Sequence, residues 1–145
     1  MSPCRRICAI LLIVWVAGGT ALAATPEECQ AMRKHGRRPE ARACYQSLTL
    51  LRDPYIRAEG FWGLSNFPDA NEQFKLAVAQ SPKNAMVRVR WGRLMKERFN
   101  NADATDLFNE ALEIDPKNAQ AYLGLAIVGA GSFDPKAVQE AGKAL

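Results

Sequence analysis

The sequence predicts an all-α chain in which pairs of antiparallel helices repeat. A five-residue pattern occurs twice, as Ser-Pro-Lys-Asn-Ala at 81–85 and as Asp-Pro-Lys-Asn-Ala at 115–119. Apolar residues recur at spacings of three and four, as in Phe74, Ala77 and Val78, which is typical of one helix face. Beyond the first 24 residues no run of strand length alternates with period two. A helical repeat is therefore the predicted fold class.

The repeat extends upstream of the pentapeptide in the same register. Four further pairs of matching residues share the offset that separates the two pentapeptides: Asp69 and Asp103, Ala70 and Ala104, Phe74 and Phe108, and Ala77 and Ala111. A period of about 34 residues, with small residues, an aromatic residue and a closing proline, resembles the tetratricopeptide repeat (TPR). The resemblance implies a solenoid of helix hairpins that binds a protein or peptide in a groove lined by the first helix of each unit.

The resemblance is strongest in the two central units. There, small residues let two helices approach and an aromatic side chain fills the space toward the next unit. These positions are Ala58, Ala70, Phe74, Ala77 and Pro82 in the second unit, and Gly92, Ala104, Phe108, Ala111 and Pro116 in the third. The flanking units match more loosely, with Cys29, Ala41, Tyr45 and Leu48 in the first and Gly124, Ala137 and Ala141 in the last.

Eight helices in four pairs are expected within one domain, 25–145. Capping residues followed by proline mark three helix starts, at Thr25-Pro26, Asp53-Pro54 and Asp134-Pro135. The predicted pairs are 26–35 with 39–51, 54–65 with 68–80, 85–98 with 101–113, and 119–130 with 134–144. They define TPR-like units at about 26–51, 54–80, 85–113 and 119–144.

The first 24 residues are predicted to be a cleavable signal peptide. Arg5 and Arg6 precede an apolar run over 7–17, and Ala21-Leu22-Ala23 has the small-residue pattern of a cleavage site. The run is shorter than the roughly 20 residues that span a bilayer, so membrane contact is expected only during export. Without Arg5 and Arg6, the mature chain, periplasmic or secreted, would carry 17 basic and 15 acidic residues. That balance gives no indication of nucleic-acid binding.

Cys29 and Cys44 are the two cysteines that remain after cleavage. Their midpoint falls in the break around Gly36, so two helices that fold back there would bring the thiols together. An oxidising compartment would then favour a disulfide. The alternative is a pair of buried free thiols. With His35 these residues match no structural zinc pattern, and no metal site is predicted.

No catalytic constellation is visible in the sequence. His35 is the only histidine and lies in a predicted turn, where a Ser-His or Cys-His nucleophile is not expected. The chain also lacks the glycine-rich and metal-binding motifs of common cofactor sites. We therefore expect a protein that is not an enzyme and has no cofactor.

The candidate binding residues come from repeat position. They are the partner-binding groove residues Tyr55, Glu59, Trp62, Arg93 and Lys96, with Val89, Met86, Arg52, Leu123 and Ile127 beside them. The helix at 85–98 is unusually basic around Trp91. Its cations either pair with acids such as Glu59 or Glu97 or, at Arg93 and Lys96, face the groove and attract a carboxylate. A valine and a tyrosine replace the polar groups of the clamp found in chaperone-binding members, so a chaperone tail is not predicted.

The function predicted from these features is an exported, non-enzymatic protein-interaction module or scaffold. The alternative is the N-terminal helical region of a larger exported enzyme or assembly whose catalytic domain is absent. The sequence ends within the predicted last helix without a polar cap, which favours packing of that helix on a partner or a further domain. The reading frame after codon 145 separates the two hypotheses.

Overall fold

The computed structural model describes residues 24–131 and Gly142. The predicted signal peptide and the predicted helix 134–144 therefore lie outside the described residues, apart from Ala24 and Gly142. Within 24–131 the chain forms seven α-helices and no strand, which confirms the all-helical prediction for this part. The helices are α1 (Pro26–Lys34), α2 (Arg38–Leu48), α3 (Pro54–Gly63), α4 (Phe67–Gln80), α5 (Ala85–Glu97), α6 (Asn101–Ile114) and α7 (Ala119–Gly131).

Most helix starts have a capping side chain, although α2, which follows Arg37, has none. Thr25 and Glu28 form a reciprocal capping box at α1, and Asp53 accepts from the backbone of Tyr55 at α3. Asn66 and Asn100, at equivalent positions of the repeat, make the same pair of contacts with the aspartate of the following turn. The repeat therefore includes its helix caps.

Two helices, α2 and α3, end two or more residues earlier than predicted. α2 stops at Leu48 and not at residue 51, because the chain turns through Thr49 and Leu50. α3 stops at Gly63 because Ser65 adopts a left-handed backbone with φ 62°. Gly36 and Phe99 take the same conformation after α1 and α5, with φ 76° and 61°. Three hairpins therefore turn through a left-handed residue that closes the first helix.

Successive hairpins stack so that the first helices, α1, α3, α5 and α7, line one side of the molecule. Phe108 of α6 fills the junction between the last two of them. A Cβ atom added at Gly92 or Gly124 would lie 2.8 Å or 2.4 Å from its ring, so only glycine permits this approach. Tyr45 of α2 meets Gly63 of α3 in the same way. The small residues of the repeat thus create the space that its aromatic residues occupy.

The first hairpin has a core of its own. Cys29 and Cys44 lie at bonding distance in it, with their Cα atoms 5.4 Å apart, among Ala41, Tyr45 and Leu48. The thiols are therefore adjacent, as the position of the turn predicted. None of the helices in residues 24–131 combines the length and the apolar character that crossing a bilayer requires.

Candidate functional site

The four first helices enclose a groove whose main cavity has a volume of about 350 Å3. Every one of them contributes side chains to it. The principal lining residues are Pro26, Glu27, Gln30 and Arg33 from α1, Tyr55, Glu59 and Trp62 from α3, Met86, Arg90, Arg93 and Glu97 from α5, and Gln120 from α7. The groove is thus a property of the whole stack, and no single hairpin could form it.

A buried ion pair forms the floor of this groove. Glu59 is 4% exposed, and its carboxylate accepts two hydrogen bonds from Arg90, at 2.6 Å from Nε and 2.5 Å from Nη2. Burial disfavours the charged guanidinium, but the hydrogen bond and charge of Glu59 outweigh that effect and raise the pKa of Arg90. The two-pronged geometry links α3 to α5 and leaves this pair electrically neutral.

Two aromatic side chains stand above that floor. The Trp62 ring lies 4.6 Å from the Arg90 guanidinium carbon, and its Nε1 donates to Glu97 at 2.7 Å. Trp62 and Tyr55 each meet the Phe74 ring edge-on, with ring centroids 6.3 Å apart. Burial, followed by the charge of Glu59, raises the pKa of Tyr55 to about 12. Its hydroxyl therefore stays a neutral donor and acceptor at any physiological pH.

The far end of the groove has a different character. Arg93 donates a hydrogen bond to the side-chain oxygen of Gln120, and with Lys96 it borders a second cavity of about 160 Å3. Leu123 and Ile127 of α7 line that cavity and are 46% and 51% exposed. Burial and the neighbouring Arg90 lower the pKa of Arg93. This end of the groove combines cations with exposed aliphatic surface.

Solved structures resemble this architecture closely in shape and weakly in sequence. MamA from Desulfovibrio magneticus RS-1 superposes with a TM-score of 0.62 at 16% identity, covering 82% of this chain and 71% of that one. YrrB, described as a TPR protein with an unusual peptide-binding site, gives 0.61 at 17% identity, covering 81% of this chain and 63% of that one. A tetratricopeptide repeat protein from Parabacteroides merdae ATCC 43184 gives 0.54 at 21% identity, covering 82% of this chain and 47% of that one.

The protein has the tetratricopeptide-repeat fold. The shape matches and the register of the sequence repeat agree on this point. No protein-family model matches the sequence, and no curated protein matches it at a significant level. The TPR assignment therefore concerns the fold, and the binding properties must come from the residues of this chain.

The structure brings most of the predicted groove residues together. Tyr55, Glu59, Trp62 and Arg93 line the main cavity, and Lys96 lines the second cavity with Arg93. Val89, which the repeat position also assigned to the groove, is fully buried and belongs to the core of the TPR units. Arg52 precedes α3 and is outside both linings.

The cations of the basic helix α5 fall into two groups: some form structural ion pairs and others line the groove. Arg90 pairs with Glu59, and Arg88 pairs with Glu110 at 2.8 Å, so both are structural. Arg93 and Lys96 line the groove cavities. Trp91 packs against the core and donates to Asn71 at 2.8 Å. Neither interpretation describes the whole helix.

Sequence reasoning missed the contribution of α1. Pro26, Gln30 and Arg33 follow one another at the same spacing as Tyr55, Glu59 and Trp62, and all three line the main cavity. The sequence offset between these two sets also separates Tyr45 from Phe74. A search at that offset could therefore have identified the α1 residues of the groove. The first TPR unit is shorter than the others, which hides the correspondence from a search at the longer period of the central units.

The groove offers a ligand both contact surface and hydrogen-bonding groups. In the described part of the chain no cluster of histidine, cysteine and carboxylate groups could hold a metal ion. The strongest polar groups, Glu59 and Arg90, are already bonded to each other. What remains open to a ligand is aromatic and aliphatic surface with amide, cationic and carboxylate groups, a combination suited to a polypeptide.

Proposed function

We propose that the protein is an interaction module that holds a segment of a partner protein in the groove of its first helices. The observation that supports this most directly is the concave cavity itself, which four successive helices line with half-buried Tyr55 and Trp62 and with Met86, 41% exposed. Aromatic side chains supply large contact area together with polar atoms, and they dominate many protein interfaces. YrrB, a structural neighbour, is described as having a peptide-binding site.

We propose further that this module works outside the cytoplasm. The proposal rests on the apolar, basic-headed N-terminal segment and on the adjacent thiols of Cys29 and Cys44. Cell fractionation, followed by intact-mass measurement of the protein from each fraction, tests it. A chain that begins near residue 25 and lacks two hydrogens supports export, whereas an uncleaved cytoplasmic chain contradicts it.

Site-specific photocrosslinking tests the groove. A photoreactive amino acid replaces Met86, inside the groove, or Leu76, which is 47% exposed on α4 and outside the cavity lining. Both positions are similarly exposed, so the photoreactive side chain is equally accessible to other proteins at each of them. We expect a discrete crosslinked partner from position 86 and none from position 76 in cells that export the protein.

A charge reversal then connects crosslinking to the groove surface. Arg93→Glu should abolish the product at position 86, and Arg42→Glu, at an exposed position of α2, should leave it unchanged. Circular dichroism of both variants checks that the helices persist. Equal crosslinking from positions 76 and 86, or a product unaffected by Arg93→Glu, would show that the groove is not the binding surface.

A further inference from the structure

The two cavities of the groove differ in how their charges are balanced. In the main cavity the Arg90 guanidinium is paired with Glu59, and the carboxylates of Glu27 and Glu97 line the cavity as well. In the second cavity, between α5 and α7, no carboxylate appears among the lining residues, which are Arg93, Lys96, Phe108, Leu123, Gly124 and Ile127. The two parts should therefore select different ligand groups.

Arg93 and Lys96 are the two cations that line the second cavity. Neither forms an ion pair within residues 24–131, and the polar partner of Arg93 is the uncharged amide of Gln120. Burial and the adjacent Arg90 disfavour the charge on Arg93 and lower its pKa, although the charge of Glu59 opposes this effect in part. A ligand carboxylate would supply the missing countercharge, and a guanidinium offers it two parallel hydrogen bonds.

The position of Arg93 indicates what kind of carboxylate fits. Arg93 lines the main cavity and the second cavity, so it stands where the two meet. A segment that fills both cavities must pass Arg93 with chain on either side. A carboxylate at a chain end would leave one of the cavities without ligand. The exposed aliphatic residues Leu123 and Ile127 lie on the α7 side of this point.

We propose that Arg93 and Lys96 bind the side-chain carboxylate of an internal aspartate or glutamate in the bound segment, with an adjacent apolar residue of that segment on Leu123 and Ile127. The inference rests on the proposed function, since it assumes that a polypeptide occupies the groove. The inference specifies which kind of segment the groove binds: one in which an acidic and an apolar residue are adjacent and lie away from the chain ends. The selectivity comes from countercharge, while the aliphatic contact adds area.

Selection from a displayed library of random peptides, with the purified protein as bait, supplies the probe. We expect enriched peptides to carry an internal acidic residue next to an aliphatic or aromatic one. Each enriched peptide is then synthesised in three forms: the parent, a form with the acid replaced by its amide, and a form with an amidated C-terminus. Replacing the acid should weaken binding about tenfold or more, while amidating the terminus should have no effect.

Variants of the protein test whether Arg93 and Lys96 cause the preference for the acidic peptide. The double variant Arg93→Gln, Lys96→Gln should remove the difference in affinity between the acid and amide peptides. Lys96→Gln alone should reduce that difference. Arg42→Gln with Lys83→Gln, at exposed positions outside both cavities, should preserve it. Thermal melting of each variant excludes unfolding as the cause. Because Lys96→Gln changes a half-buried side chain outside the core, it serves if the double variant is unstable.

The outcomes separate the inference from the proposed function. Peptides that bind the groove without preferring an acid, or that require a free C-terminal carboxylate, overturn the inference and leave the groove as a binding site. An acid preference that survives in the Arg93→Gln, Lys96→Gln protein also overturns it. If no peptide is enriched and position 86 yields no crosslink, the proposed function fails and the inference fails with it.

Discussion

The first hairpin, α1–α2, and the third, α5–α6, are stabilised by different means. The first has helices of 9 and 11 residues around a small core that contains Cys29 and Cys44. The third has helices of 13 and 14 residues, and its Phe108 ring packs between Gly92 and Gly124. Both hairpins pack an aromatic ring against a glycine of the next unit, but the first hairpin has the shorter helices and the smaller core, and it gains more from a covalent link.

This difference bears on the groove because α1 forms one of its walls. The core of the first hairpin is separate from the large cluster that joins α3 to α7. From the second unit, Ile56 and Leu64 pack on it, and Gly60 and Gly63 lie against its Leu48 and Tyr45. Loss of the link between Cys29 and Cys44 should therefore loosen one wall of the groove while the rest of the solenoid persists.

The largest effect is expected from Phe108→Ala. Phe108 is 1% exposed, and its removal would leave a void between two glycines that cannot fill it. The free energy of unfolding should fall by about 3–5 kcal/mol in urea denaturation. Tyr45→Ala, the matching change in the first hairpin, should cost less as long as the cysteines remain linked. Equal losses at the two positions would contradict the distinction between the hairpins.

The second prediction concerns the covalent link. Replacing Cys29 and Cys44 by alanine opens a link between residues 15 apart in sequence, which should lower the free energy of unfolding by about 3 kcal/mol. Amide exchange should rise in α1 and α2, with little change in α5 and α6. If iodoacetamide alkylates both cysteines of the folded wild-type protein, the link is absent and the comparison loses its basis.

The sequence predicted the features that follow from repetition. Ala70 and Ala104, Phe74 and Phe108 occupy the same environments because the same residues at the same spacing pack in the same way. The turn at Gly36 likewise placed Cys29 opposite Cys44. These are local or periodic features, and one chain is sufficient to reveal them.

The composition of the groove depends on how far each helix is rotated about its axis. Repeat position equated Val89 with Tyr55, yet Val89 faces the core, and its neighbour Arg90 reaches the groove floor. One residue corresponds to about 100° of helix rotation, so a modest twist between units exchanges neighbours. Tertiary packing sets that twist, and spacing in a single sequence does not contain it.

The third prediction compares two ion pairs made by α5. Arg90 joins α5 to α3 through Glu59, whose side chain is 5% exposed, whereas Arg88 stays within its own hairpin and pairs with Glu110, 49% exposed. Glu59→Gln should lower the free energy of unfolding by about 2 kcal/mol, since it leaves a half-buried guanidinium without a countercharge. Glu110→Gln should cost less than about 0.5 kcal/mol. Denaturant unfolding measures both, and similar losses would mean that the groove floor is no more than a surface pair.

The smallest effect should come from the turns that close the first helices of these two hairpins. The first hairpin turns through Gly36, but the third turns through Phe99, whose φ of 61° is unfavourable for a bulky residue and whose side chain is 87% exposed. Phe99→Gly should therefore raise the free energy of unfolding by about 0.5–1 kcal/mol, because the relief of backbone strain exceeds the added entropy of the unfolded chain. Phe99→Ser, which removes the same apolar surface and keeps a Cβ atom, should give no such gain. Gly36→Ala should lower stability by a similar amount, and thermal melting of the three variants measures all of these changes. A gain from Phe99→Ser equal to that from Phe99→Gly would assign the effect to the exposed ring and not to the backbone.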